Sequence, residues 1–295
     1  MKEFSMKKAI LILLAAALVA RAFARDVDAV VGVAWLEANL SKPGLVIVDV
    51  RKIDEYKAGH VPGAVNLLGL YVTKDGLSNE VPEADDLSEI IAEAGIDGKS
   101  TVVVVESGGA RFAWATRVAW TLVYAGVPNV TILDGGYEEW VKAGKAVATG
   151  FESKDETDFE VTFVDSYLAT KDYLVKNLKK VQVVDTRVYD TYFGLSKQAF
   201  VDQYGHIPGA YALPAAWITV NGLVRPKAEL EELVKALKLD PKKEAVIHCD
   251  SGVLCTAWWW ILTQQLGWTK VRSYDGSAQE ISKDPSVKFV KAVWR

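Results

Sequence analysis

The chain holds two cysteines in 295 residues, and they stand six positions apart in the segment His248-Cys249-Asp250-Ser251-Gly252-Val253-Leu254-Cys255-Thr256. The β-branched run Ala245-Val246-Ile247 leads into this segment, and an apolar stretch from Thr256 to Leu266, closed by Gly267, follows it. That pattern reads as a buried strand, a tight loop and the start of a helix. A cysteine at such a turn faces converging unpaired backbone N–H groups, which favour the thiolate and lower its pKa. The same donors would hold a persulfide anion on that sulfur. Cys249 is therefore expected to be the nucleophile, with Asp250, Ser251, Gly252, Val253, Leu254, Cys255 and Thr256 forming the loop around it. Cys255 admits two readings: a buried small apolar side chain, or a resolving thiol that accepts sulfur or closes a disulfide. His248 adjoins the nucleophile, but neighbouring strand residues point to opposite faces, so no direct proton transfer between them is expected. Asp250 is expected to lie within several ångströms of an incoming donor, raising the Cys249 pKa and repelling dianions more than monoanions.

Composition removes several alternatives. Two cysteines exclude a disulfide scaffold and a four-thiolate zinc site, and His60, His206 and His248 are too few for a histidine-rich metal centre. Neither a metal nor an organic cofactor is expected. A net charge of −4 argues against a nucleic-acid partner. The loop has the outline of the cysteine phosphatase signature, yet Cys255 occupies the position of the arginine that would grip a phosphate dianion, and Asp250 adds a like charge.

The elements that must position the loop occur twice. Leu45-Val46-Ile47-Val48-Asp49-Val50-Arg51 matches Val181-Gln182-Val183-Val184-Asp185-Thr186-Arg187, and Gly59-His60-Val61-Pro62-Gly63-Ala64 matches Gly205-His206-Ile207-Pro208-Gly209-Ala210. Val130 to Gly136 parallels Val271 to Ser277, and the run Ser100 to Glu106 parallels Glu244 to Cys249. A repeat of this length is a duplicated domain rather than a solenoid. Each half alternates short β-branched runs with helical stretches, the pattern of an α/β domain with a mainly parallel central sheet covered on both faces. Glu106 stands in the first half where Cys249 stands in the second. Asp49/Arg51 and Asp185/Arg187 recur in both halves, including the one without a cysteine, so a loop-fixing ion pair is expected, and His60 and His206 are expected to lock turns.

This tandem order of Asp-x-Arg, Gly-His-[Val/Ile]-Pro-Gly-Ala, strand-Cys-loop-helix and Asp-Gly-[Gly/Ser] resembles the two-domain rhodanese sulfurtransferases, from about Val27 to Ser277. The resemblance implies two tandem three-layer α/β/α domains, a catalytically silent first one and an active cysteine, Cys249, in the second. It implies transfer of a sulfane sulfur from a small donor to a thiol or cyanide acceptor through a Cys249 persulfide. Asp185, Arg187, His206 and His248 are the supporting residues it suggests. The Cys249-x-Ser251-Gly252-Val253 start looks like the loop of the mercaptopyruvate enzymes. The arginines those enzymes use for the donor carboxylate are missing, because only Lys197 is cationic between Val188 and Tyr204. Thiosulfate, mercaptopyruvate and persulfide or polysulfide donors all stay open. A catalytically weak module that binds or relays sulfur for a partner protein is the alternative.

At the N-terminus, lysines precede an uncharged run from Ala9 to Ala20, and Ala22-Phe23-Ala24 follows. The run falls short of the roughly twenty residues a bilayer span needs and reads as a secretory signal peptide. The expected organisation is a signal peptide at 1–24, the silent domain at 25–148, a polar linker at 149–162 and the cysteine-bearing domain at 163–295. The mature protein is then exported, periplasmic or extracellular, with no stable membrane insertion.

Overall fold

The computed structural model describes residues 25–292; the expected signal peptide lies outside the described residues. Fourteen strands are described: β1 (Val30–Val31), β2 (Leu45–Asp49), β3 (Ala64–Asn66), β4 (Val72–Lys74), β5 (Leu77–Glu80), β6 (Thr101–Val105), β7 (Asn129–Leu133), β8 (Leu168–Ala169), β9 (Gln182–Asp185), β10 (Tyr211–Ala212), β11 (Thr219–Val220), β12 (Leu223–Val224), β13 (Ala245–His248) and β14 (Val271–Tyr274). Two five-stranded sheets run in the orders β1-β7-β6-β2-β3 and β8-β14-β13-β9-β10, the same order twice. Every neighbouring pair in both is parallel. The runs without polar alternation, β6 and β13, are the central strands, which must bury both faces.

Helices cover the sheets: α1 (Val33–Asn39), α2 (Ile53–Ala58), α3 (Ala84–Glu93), α4 (Phe112–Tyr124) and α5 (Gly136–Lys142) in the first half; α6 (Lys171–Asn177), α7 (Tyr189–Tyr192), α8 (Lys227–Ala236), α9 (Leu254–Trp260) and α10 (Ser277–Ile281) in the second. The helix after β6 ends as its sequence predicts, with Gly126 at φ +100°. The helix after β13 starts two residues earlier than expected and changes to a π-helix over Ile261–Gln265 before Gly267 at φ +76°. Trp258, Trp259 and Trp260 are fully buried, and each indole donates to a carbonyl, of Pro214, Val271 and Ala29 respectively. Burial of rings this large contributes on the order of 3 kcal/mol each.

An apolar core runs from one domain into the other. Helix α4 packs on α9, where Thr116 Oγ1 and Thr256 Oγ1 are 3.1 Å apart and Trp120 meets Trp259 edge-on at 6.4 Å. The outer face of each sheet has its own smaller cluster. The 149–162 segment forms no helix or strand and is strapped to the first domain, through Thr157 N–H to Ala92 O, Val161 N–H to Ser88 Oγ and Thr162 N–H to Ala125 O.

Two short hairpins cross the domain boundary in opposite directions. The β4–β5 hairpin of the first domain reaches the second, where Ser78 N–H donates to Gln279 Oε1 and Val81 N–H to Asp275 Oδ2. The β11–β12 hairpin of the second domain returns the contact, with Val224 N–H donating to Asp134 Oδ1 at 2.9 Å. Asp134 and Asp275 are equivalent in the repeat, so the exchange is pseudo-symmetric.

Candidate active site

Strand β13 carries the chain to Cys249 at the C-terminal edge of the second sheet, where parallel sheets present their sites. Here Cys249 is reduced and 1% exposed. Its backbone N–H and that of Gly252 both donate to Ser277 Oγ, at 3.1 and 3.2 Å, and the Ser277 hydroxyl donates to Tyr274 O. One serine thus ties both sides of the turn. Gly252, at φ +80°, is required for two reasons. The left-handed backbone favours glycine, and a Cβ would come within 2.6 Å of Asp275 Oδ1.

The Ser277 hydroxyl also lies 3.9 Å from the Cys249 sulfur. Burial alone would raise the Cys249 pKa. Hydrogen bonds from the Cys255 thiol and from the backbone N–H groups of Cys255 and Ser251 outweigh burial and a further upward push from Asp250, leaving it at about 7. Burial pushes the Cys255 thiol well up, and neighbouring Cys249 pushes it further. Cys255 therefore keeps its proton, and its sulfur lies 3.4 Å from Ser273 Oγ. Cys255 is fully buried within the apolar core, and both readings of it stand.

The rest of the loop is held from several directions. Ser251 Oγ accepts from Asn79 of the β4–β5 hairpin at 3.0 Å, and Thr256 Oγ1 donates to Val253 O at 2.7 Å. Val253 is buried and Leu254 half-buried. Asp250 is not poised in open water: its side chain is 14% exposed and Oδ1 lies 3.7 Å from Arg187 Nη1. Burial, opposed by Arg187 and reinforced by Asp185, raises its pKa to about 6.

Arg187 forks onto Asp185 and donates to Gly205 O at 2.8 Å; Arg51 makes the same contacts with Asp49 and Gly59 O in the first half. His206 stacks on Tyr192 at 3.6 Å between ring centroids, with Nδ1 2.7 Å from Tyr192 O, and so locks the turn after α7 instead of facing the sulfur. His60 does likewise with Tyr56. His248 points away from the thiol: Nδ1 lies 3.2 Å from Cys249 O and Nε2 3.8 Å from Asp185. Burial lowers its pKa, so it is neutral at pH 7 and no proton relay to Cys249 is formed.

The most consequential contact was not legible in the local sequence. Arg117, a fully buried residue of α4 in the first domain, pairs with Asp275 and donates to Gly252 O at 3.0 Å. The first domain thereby completes the active loop of the second. The only signal for it was a single charge in an otherwise uncharged thirteen-residue helix. In the first domain's own loop, Glu106 takes the register position of Cys249, since Val105 pairs with Asp49 as His248 pairs with Asp185. Its carboxylate accepts from Ser107 N–H and pairs with Arg111, filling the cradle that would otherwise hold a thiolate.

Two consequences can be measured. With the Cys249 thiolate as the expected nucleophile, kcat/KM should rise with pH through about 7 and level off above it. Replacing Asp250 by glycine removes a like charge and uncovers Arg187 Nη1, which has no hydrogen-bond partner. That variant should shift the midpoint to lower pH and improve kcat/KM for thiosulfate by roughly three- to tenfold, more than for a monoanionic donor. Equal ratios for the two donors would show that this carboxylate does not discriminate by charge.

Comparison with known proteins places the architecture. The rhodanese-like domain family matches residues 32–143 and again residues 170–284. A Mycolicibacterium smegmatis protein named among the thiosulfate sulfurtransferases is 28% identical over 262 residues, covering 86% of this chain and 94% of its own. The sulfur carrier protein TtuD of Thermus thermophilus is 27% identical, covering 86% and 93%. The crystal structure of SseA from Escherichia coli, described as a 3-mercaptopyruvate sulfotransferase, superposes with a TM-score of 0.76 at 24% identity, covering 85% of this chain and 99% of that one. The chain belongs to the rhodanese-like family, as a tandem of two such domains.

Proposed function

We propose that this protein is an exported sulfurtransferase that carries sulfane sulfur on Cys249. The observation that carries the reading is a buried, free Cys249 at the C-terminal edge of the parallel sheet, with its turn tied by Ser277 and hydrogen bonding bringing its pKa down to about 7. With thiosulfate, the Cys249 thiolate attacks the outer sulfur; the S–S bond to the sulfonate breaks and sulfite leaves with the electron pair. The resulting persulfide anion remains beside the same backbone donors. An acceptor such as cyanide then attacks the terminal sulfur, leaves as thiocyanate and restores the thiolate. Both steps exchange one sulfur between nucleophiles and need neither a redox cofactor nor a metal.

A donor panel of thiosulfate, mercaptopyruvate, glutathione persulfide and polysulfide, each with excess cyanide, tests this directly. Multiple turnovers to thiocyanate with at least one donor are expected. Loading without turnover would instead favour a sulfur-relay module with a protein acceptor.

Export rests on the N-terminal pattern and on Arg25, the residue after the expected cleavage site. Its guanidinium donates to Gln264 Oε1 and Gln264 O and lies 5.7 Å over the Trp260 ring, so the residue after the expected cleavage site is anchored to the second domain. The mature protein should begin at or near Arg25 in the soluble extracytoplasmic fraction. N-terminal sequencing that finds Met1 or Met6 in the membrane fraction contradicts this.

A further inference from the structure

Cys249 is 1% exposed, so no donor reaches its thiol while the site is closed, and something beside the active loop must move. The elements that touch the loop differ in how deeply they are embedded. Helices α4 and α9 belong to the continuous core, and Arg117, Arg187 and Ser277 are buried. The β4–β5 hairpin is different. It pairs with neither five-stranded sheet, and Val72, Thr73 and Lys74 of its outer strand are all exposed. Its inner strand, β5, meets the second domain. Asn79 Nδ2 donates to Ser251 Oγ of the active loop at 3.0 Å. Ser78 N–H donates to Gln279 Oε1 at 3.0 Å, and Ser78 O accepts from Gln279 Nε2 at 2.8 Å. We infer that this hairpin is a lid: it lifts off the active loop on its roots, at buried Leu70 and Pro82, to admit the sulfur donor, and closes again over Cys249. The inference rests on Cys249 as the reacting sulfur. The bond from Val81 N–H to Asp275 Oδ2 lies at one root and stays made, so the domains remain joined when the lid is up.

The pseudo-symmetric hairpin in the other half shows what a permanent seal looks like. A Cβ on Gly109 would come within 2.1 Å of Gly222 O in the β11–β12 hairpin, and the cavity beneath that hairpin is about 10 Å³. Nothing has to enter there, because Glu106 takes the place of a nucleophile. Beneath β4–β5 lies an open cavity of about 310 Å³, lined by Lys74, Leu77, Glu80, Tyr274 and Glu280. Its underside is loosely packed, and hydrogen bonds rather than buried apolar area hold it down. Closure also carries a cost. Glu80 Oε1 is buried and no protein group donates to it, and lifting the hairpin returns that carboxylate to water. A thin hold, an exposed outer strand and a buried acceptor left unpaired are the marks of a segment that opens locally, well below the free energy of global unfolding.

The test follows alkylation of Cys249 by iodoacetamide in the native full-length protein, read by peptide mass mapping at about pH 9, where the thiolate is formed. Cys255, fully buried in the apolar core, is the internal control. Asn79→Gly removes the bond to Ser251 and suits the left-handed backbone there, at φ +63°. Gln279→Ala removes both bonds to Ser78. Each variant should speed alkylation of Cys249 by about three- to tenfold, and the pair together by at least about tenfold. Below the unfolding transition the rate should depend on urea far less steeply than global unfolding does, and the Cys255 rate should not change. Cys249 rates equal to wild type in all three variants overturn the lid. So do Cys249 and Cys255 rates that rise together with the urea slope of global unfolding. Alkylation gated as expected, with no thiocyanate from any donor, leaves the lid standing and removes the sulfur-transfer reading instead.

Discussion

Replacing Arg117 by methionine should destabilise the protein by about 3–5 kcal/mol and lower kcat/KM by one to two orders of magnitude, although Arg117 belongs to the domain without a nucleophile. The reason is asymmetric desolvation. Arg117 is fully buried and its partner Asp275 nearly so; removing the guanidinium leaves a buried carboxylate with only the Val81 N–H for compensation. The Gly252 carbonyl loses its donor in the same change, so the turn that aims N–H groups at the sulfur loosens. Arg117→Lys keeps the charge but not the fork and should recover part of the stability and less of the activity. Arg117→Met combined with Asp275→Asn removes both charges and should regain stability without regaining rate, because Gly252 remains untethered. Denaturant unfolding and steady-state kinetics on the three variants and the wild type check this. Single-variant losses below about 0.5 kcal/mol with unchanged rates would show that the interdomain pair does not support the loop.

Cys249→Ser should lower sulfur transfer at least about a thousandfold while leaving the fold intact. An alcohol at neutral pH is almost entirely protonated, and oxygen does not form the persulfide link that carries the sulfur. The serine hydroxyl is close in size to the thiol and sits among the same N–H donors, so unfolding free energy should change by no more than about 1 kcal/mol. Parallel denaturation curves with a flat kinetic trace are the expected pair of observations. Retained turnover, with a donor that serves the wild type, would move the chemistry away from Cys249 altogether.

Much of this architecture can be read from the chain because it depends on local pattern. The duplicated Asp-x-Arg and Gly-His-[Val/Ile]-Pro-Gly-Ala segments mark the two halves, and unbroken apolar runs mark β6 and β13 as central strands. The strand-loop-helix around Cys249 is equally local. What the chain hides is what depends on distant partners. Arg117 and Asp275 are 158 positions apart, and nothing near either one signals the other. The β4–β5 and β11–β12 hairpins are built from strands of two to four residues, too short for a clear periodicity, even though they lock the domains together. Asp250 reads as a charge beside the nucleophile, yet its environment is decided by Arg187, which arrives from a neighbouring strand. Spacing alone leaves Cys255 open between a buried filler and a resolving thiol.

The central claim, that Cys249 is the sulfur carrier, is tested most directly in the Cys255→Ser protein, where Cys249 is the only cysteine left. After loading with a sulfane donor and desalting, peptide mass mapping should find a gain of about 32 Da confined to the peptide that contains Cys249. Cyanide should then remove that mass and return one thiocyanate per loaded chain. An unmodified Cys249 peptide with every donor tried, or the same thiocyanate yield from Cys249→Ser, would contradict the account.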